Sequence, residues 1–310
     1  VSSVDTKISL APSQDLRRRL KFQKLAVAIM RVATIVTILI TAGIVVSLVP
    51  ATVDLLSEIG SQIFGLTWAP LFEPPQFGLM PLLTGTFVIV AIAMVVAIPT
   101  GLAAALFLSD YASFNLRRVV KPILEILAGI PTVVLGLFGL YVINPNLVEK
   151  YWPIGEPVGY SALGAGLMTG VLVIPIVASV ADDALSAVPR SMREAAFALG
   201  ATRREVATKV VFNAGLSGVV AAVILAFARA FGETTVALMV AGSYPKLSAN
   251  PGEPMQTMAS FIGFAGIGDQ EVGSTGYKTI FLVGSILFII TLIFNIIGNR
   301  VIAKFREAYE

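Results

Sequence analysis

The chain contains no cysteine and no histidine in 310 residues. Disulfides, thiolate-ligated clusters, zinc sites of the usual kind and imidazole acid–base chemistry are thereby excluded. A metal site would have to be built from carboxylates alone, and none are spaced for one. Charge is scarce as well: Asp, Glu, Lys and Arg make up 13% of the chain, where a soluble globular domain carries about 25%. Apolar residues take their place, at 56% of the sequence and a mean hydropathy of +0.86. Runs of about 20 apolar residues are long enough to cross a bilayer, and several are present. The first run is too long for a signal peptide and has no clear cleavage site, so it reads as a retained helix.

An all-α polytopic membrane protein is expected, with six spans at about 25–49, 81–109, 122–143, 160–180, 216–240 and 277–297. Residues 1–24 form a polar tail ending in RRRLKFQK, amphipathic around Leu16 to Leu25, and residues 299–310 form a second tail. Arg31 can snorkel from the start of the first span, and Pro50 is expected to close that span. Ala51 to Met80 holds Asp54, Glu58 and Glu73 but no Lys or Arg, together with Trp68, Pro70, Pro74 and Pro75. That composition suits an ordered loop near an interface. Another loop carries Trp152, Pro153 and Pro157. Pro99, Pro131 and Pro175 are expected to interrupt or bend their spans. Ala128, Gly129, Gly136 and Gly139 allow close helix contact. The segment Ala241 to Gly276 holds Glu253, Asp269 and Glu271, and its piece Met255 to Ile267 reads as a short helix at the interface.

The placement of Lys and Arg gives an orientation. The two tails with the first helix start, the second–third loop and the fourth–fifth loop hold eighteen basic residues; the opposite loops hold only Lys150 and Lys246. Basic residues favour the cytoplasmic side, so both termini are expected there.

The loop 182–215, DDALSAVPRSMREAAFALGATRREVATKVVFNAG, is the longest charged segment between spans. Its pattern predicts a helix to Leu199 and a turn at Gly200, where a left-handed residue fits. Thr202 then caps a second helix, with Glu205 completing a capping box. From the residues alone, two readings stand side by side: a compact knob gripped by a cytoplasmic partner, or a solvated linker whose charges fix topology.

Glu194-Ala195-Ala196 followed by Gly200 resembles the EAA signature of membrane subunits of ABC importers. SMREAAFALGATRREVATKVV and LAFARAFGETTVALMVAG, with FGLMPLLTGT and LAGIPTVVLGLFGL, are similar to the phosphate-importer permeases. The likeness covers most of residues 60–298. Of that importer's two related permeases, GETTVALMVAG and the long first external loop are more similar to the one called PstC than to PstA.

The resemblance implies a type I ABC importer permease fold in a prokaryotic inner membrane, with no nucleic acid involved. It implies four further components: a related PstA-like permease, two copies of a PstB-like cytoplasmic ATPase, and an extracytoplasmic PstS-like phosphate-binding protein. It makes Arg193, Glu194, Ala195, Ala196, Leu199, Gly200, Ala201 and Thr202 the coupling helix that meets the ATPase. The family often has a hydrophobic residue and Pro near the return to the membrane, whereas this chain has Phe212-Asn213, which implies a different bend there.

Arg229 and Glu233 lie four residues apart in the fifth span, on one helix face. A charged side chain near the bilayer centre costs about 2.5–3.5 kcal/mol on insertion scales. The pair either locks this helix to its neighbours or lines a pathway, where an Arg fork suits an anion and Glu233 and Thr234 tune it. Glu125, about a turn into the third span, is open to a gating contact, a capping role or snorkelling. GSTGYKT at Gly273 to Thr279 echoes a Walker loop, but with the wrong spacing and on the external side. ATP and Mg are therefore expected on a partner, with no cofactor and no catalytic residue in this chain. Two rivals remain: a permease for another oxyanion such as molybdate, sulfate or phosphonate, and an ion-coupled secondary carrier.

Overall fold

The computed structural model describes residues 14–152, 159–268 and 270–307. Residues 1–13 of the N-terminal tail, Pro153, Pro157, Asp269 and residues 308–310 lie outside them. The chain divides into two compact units, residues 1–50 and Ala51–Glu310. The described residues of the first unit are helical. Ile29, Met30, Ile38, Leu39 and Val46 are all exposed on it, the composition of a helix solvated by lipid.

Helix α1 runs Gln14–Ile59, so Pro50 does not close it. Proline's fixed φ is itself helical, and only one backbone hydrogen bond is lost at that position. A 3₁₀ turn, Gly60–Phe64, leads to a two-residue antiparallel ribbon, β1 (Trp68–Ala69) with β2 (Gln76–Phe77), in the register Trp68↔Phe77 and Ala69↔Gln76. Trp68 is buried edge-on to Phe261 at 5.0 Å, so this loop is ordered by a core contact.

Helix α2 spans Met80–Tyr111 and ends in a wider π turn, Phe107–Tyr111. Helix α3 is Phe114–Ala128, N-capped by Ser113. Helix α4 is Thr132–Tyr151. The expected third span at 122–143 is therefore corrected: Gly129, Ile130 and Pro131 separate α3 from α4, and the apolar helix starts ten residues later. Pro131 has no N–H to continue the ladder and drives Ile130 out of the helical region. Arg117, Arg118 and Lys121, expected in a loop, sit on α3 instead. Pro99 and Pro175 behave differently, since both lie inside unbroken helices. Close neighbours along α2 and the following span make such prolines tolerable.

Helix α5 (Ala162–Ser186) is capped by Ser161 and overruns the expected end of the fourth span. Then come α6 (Arg190–Ala198), α7 (Arg203–Ala214), α8 (Leu216–Phe231) and the single π turn α9 (Ala237–Ala241). Helix α10 is Met258–Ile267 and α11 is Thr275–Glu307. Among the described residues five helices are long and apolar enough to cross a membrane; the bent pair α7–α8, at 73°, makes a sixth if taken as one span. The expected short helix is present as α10, with its first turn in the core: Met258, Ala259, Ser260 and Phe261 are buried, while Phe264 and Ile267 are exposed.

Helix α5 is the hub, and glycine makes its packing possible. A Cβ added at Gly166 would lie 2.6 Å from Ile92 Cβ, and one at Gly170 would lie 3.0 Å from Val96 Cβ, both on α2. The reciprocal site, Gly101 of α2, would meet Val177 Cβ at 2.6 Å. At the other face, a Cβ on Gly215 would meet Leu185 at 2.9 Å, just where α7 bends into α8. Close backbone approach of this kind is how helices gain packing energy without a hydrophobic drive.

Replacing Gly166 or Gly170 by Val overfills that seam, at a cost of about 1–3 kcal/mol. Both variants should melt at lower temperature in detergent. Gly43→Ala, where an added Cβ meets nothing within 4 Å, should not. Equal melting of all three would contradict the packing.

Candidate functional site

The fifth apolar segment is not one helix. Helix α8 has 16 residues, about 24 Å at 1.5 Å per residue, which is short of a hydrocarbon core of about 30 Å. The stretch as far as Ala241 supplies the rest, but with a break at Gly232, Glu233 and Thr234. Arg229 and Glu233 bracket that break. Arg229 lies in the last turn of α8, and Glu233 lies just before the next helical turn. Arg229 Nη1 donates to Glu233 Oε2 at 2.5 Å, and the Val236 N–H donates to Glu233 Oε1 at 3.1 Å. Each carboxylate oxygen thus has a partner, which a group only 4% exposed requires. A cation at a helix C-terminus and an anion at the next N-terminus also suit both helix dipoles.

Arg229 is 37% exposed, and Glu233 is its only ion-pair partner among the described residues. A guanidinium has five N–H donors, and Glu233 is the one acceptor that Arg229 has among the described residues. The walls of the break are tightly fixed. Phe231 is buried, stacks on Phe227 and meets Phe87 of α2 edge-on at 5.5 Å. A Cβ on Gly263 of α10 would lie 2.7 Å from Thr234 Cγ2. Beyond the break, buried Asn144 of α4 donates to the Gly159 and Val240 carbonyls and accepts from Ser161 Oγ.

The 182–215 loop has the expected form. Gly200 takes φ +83°, between α6 and α7. Thr202 accepts from the Glu205 N–H, while the Glu205 carboxylate accepts from the Thr202 N–H, closing the capping box. These bonds, with Lys209 at 3.1 Å, hold the Glu205 carboxyl down to about 2 from an ordinary 4.5. Glu194, Ala195, Leu199, Gly200 and Thr202 are exposed, Leu199 at 90%, with Met192 and Phe197 also exposed. Ala196 and Ala201 turn toward an apolar cluster with Leu185, Val206 and Val211. Arg193 does not share the exposed face: it donates inward, to the Leu185 carbonyl at 2.7 Å and to Ser109 Oγ at 3.3 Å.

Glu125 does not join the site. It is exposed on α3, before the Gly129–Pro131 break, with no ion-pair partner among the described residues. Sequence reading missed Asp182, which lies inside α5 rather than in a loop and is fully buried. Arg117 Nη2 donates to both its oxygens, at 2.8 and 3.1 Å, and Ser186 and Lys121 complete its shell; Lys121 also pairs with Asp183. Since α3 buries no residue of its own, this charge cluster is its main attachment to α5. The adjacent acids Asp182-Asp183 beside an apolar run were the available signal. GSTGYKT caps and opens α11, and the element before it is helix α10 rather than a strand, which is not the frame of a phosphate-binding loop.

Long apolar helices around a glycine-lined hub define a multi-pass membrane protein. Residues 97–307 match the family described as binding-protein-dependent transport system inner membrane component. The chain belongs to that family, the membrane permease subunits of ABC transporters. It is 32% identical over 229 residues to the probable ABC transporter permease protein YqgH of Bacillus subtilis, covering 74% of this chain and 73% of that one. It is 29% identical over 291 residues to the phosphate transport system permease protein PstC of Mesorhizobium japonicum, covering 88% of each. A probable PstC from Methanocaldococcus jannaschii is 30% identical, over 77% of this chain and 80% of its own. Among solved structures, the inward-facing MetNI methionine ABC transporter superposes with a TM-score of 0.56 at 20% identity, covering 76% of this chain and 99% of that one. At that identity the likeness shows the fold alone, that of type I importer permeases.

A carboxyl with a lowered folded pKa stabilises the fold fully above its ordinary value and loses that contribution as pH falls through the folded one. Hydrogen-exchange protection at Val206 to Thr208, corrected for intrinsic rates, should hold from pH 7 to about 4.5 and then fall toward about 2. Thr202→Val should remove it at neutral pH. Protection indifferent to both would contradict the capping box.

Proposed function

We propose that this chain is half of the translocation pathway of an ATP-driven importer of inorganic phosphate. The observation that carries the reading is Arg229: a guanidinium at a helix break, held by one bond to a buried carboxylate, with the rest of its fork unengaged. A tetrahedral oxyanion matches that fork, and Glu233 limits the attraction, so the anion is passed on rather than trapped. Thr234 adds a hydroxyl beside the pair. The PstC proteins among the relatives support phosphate as the anion.

A second, PstA-like permease completes the pathway, and a PstS-like binding protein delivers substrate from outside. Two copies of a PstB-like ATPase bind ATP and Mg and grip the 182–215 loop, whose exposed Met192, Phe197 and Leu199 suit an apolar cleft. Both termini and this loop lie in the cytoplasm. ATP-driven closure of the ATPases moves the loop, shifts α5 and α8, and alternates access to Arg229; hydrolysis resets it.

Proteoliposomes of the co-expressed complex test this. Labelled phosphate should accumulate only with ATP and binding protein, undiminished by molybdate, sulfate or phosphonate. Arg229→Ala should cut uptake roughly 10- to 100-fold, the worth of about one charge-assisted bond, at normal abundance, with Arg229→Lys in between. Uptake unaffected by both variants would remove Arg229 from the pathway. Preference for another oxyanion would reassign the substrate, and purification without any ATPase would favour an ion-coupled carrier.

A further inference from the structure

Covalent connection takes the 182–215 loop to α5 and α8 only. The structure adds a third connection, to α2. On the first limb of the loop, Arg193 Nε lies 3.6 Å from Asp110 Oδ1, and Arg193 Nη2 donates to Ser109 Oγ. On the second limb, the Arg203 guanidinium lies 5.5 Å from the centre of the Tyr111 ring. Two arginines, one on each side of Gly200, thus hold adjacent residues of the last turn of α2, Arg193 at Ser109 and Asp110 and Arg203 at Tyr111. Arg193 also binds the Leu185 carbonyl at the end of α5, so one side chain joins α6 to two helices.

The Arg193–Asp110 contact is sheltered, with the side chains 19% and 7% exposed, yet it is not fully made. Asp110 Oδ2 and Arg193 Nε are buried without a hydrogen-bond partner. Apolar packing of Ala196, Val206 and Val211 with Leu102 and Ala105 accompanies it, but such packing lets surfaces slide, whereas a charge pair at fixed donors sets register. Helix α2 then reaches the other site. Phe87, 23 residues before Asp110 or about 35 Å along the helix, lies against Phe231 next to the Arg229–Glu233 break.

We infer that Arg193 is a positioning residue that attaches the coupling loop to α2, and that α2 is the lever which carries loop movement to the break at Arg229. This rests on the reading that an ATPase drives the loop.

The test uses the reconstituted complex with Asp110→Asn, Arg193→Met and the double variant, reading phosphate transported per ATP hydrolysed beside thermal stability. Arg193→Met alone strands a buried carboxylate and should lower stability; the double variant removes that charge and should recover it. Transport per ATP should fall at least about five-fold in all three, including the restabilised double. The inference is overturned if transport per ATP recovers with stability in the double variant, or stays at the wild-type value in both single ones. It is also overturned if the ATPase is lost from the variant complexes, which would make the contact a structural one. If the ATPase fails to bind the unmodified chain, the coupling reading itself fails, a result distinct from these.

Discussion

A carboxylate that is 4% exposed in a largely apolar bundle has to be paired and hydrogen-bonded to offset the cost of its burial. Glu233 meets that requirement with Arg229 on one oxygen and the Val236 N–H on the other. Its position follows from the same bonds, because the carboxylate ends one helical piece electrostatically and caps the next. Structural pair and pathway residue are therefore not competing descriptions. The fifth segment breaks at Gly232, between the two members of the pair, and Glu233 caps the turn that follows.

The rest of the fold holds that break still. Phe87 and Phe231 close one side and Gly263 admits Thr234 on another. Asn144 and Ser161 tie down the Val240 carbonyl beyond it. At the opposite end of α5, ionic contacts join an apolar cluster: Arg117 and Lys121 on buried Asp182, and Arg193 near Asp110, beside Leu185, Val206 and Val211. Between the two ends, α2 and α5 are locked by glycine seams into a stiff pair. Charge clusters at both ends of a rigid pair suit a body that moves as a unit and is held in discrete positions.

Local features were legible in the sequence. The helix–Gly200–helix form and the Thr202–Glu205 box depend on residues within a few positions of one another, and they stand as expected. Spans without internal breaks were legible from hydropathy. The third was not, because the apolar pattern runs on through Gly129 and Pro131 and hydropathy does not register a break in the backbone ladder. Pro131 breaks its helix while Pro99 and Pro175 leave theirs whole; the difference lies in neighbours that the sequence does not show. The same limit hid the contact of Arg193 with Ser109 and that of Arg117 with Asp182, made across 84 and 65 residues. The pairing of Arg229 with Glu233 was legible from spacing, but the break between them was not, although Gly232 and two threonines marked it.

The most direct measurement is a cryo-electron microscopy structure of the assembled importer, trapped with phosphate inside. The account predicts phosphate density within about 3 Å of the Arg229 guanidinium, with Glu233 still accepting from the Val236 N–H. Phosphate ordered elsewhere along the pathway, with Arg229 engaged only by Glu233, would contradict it.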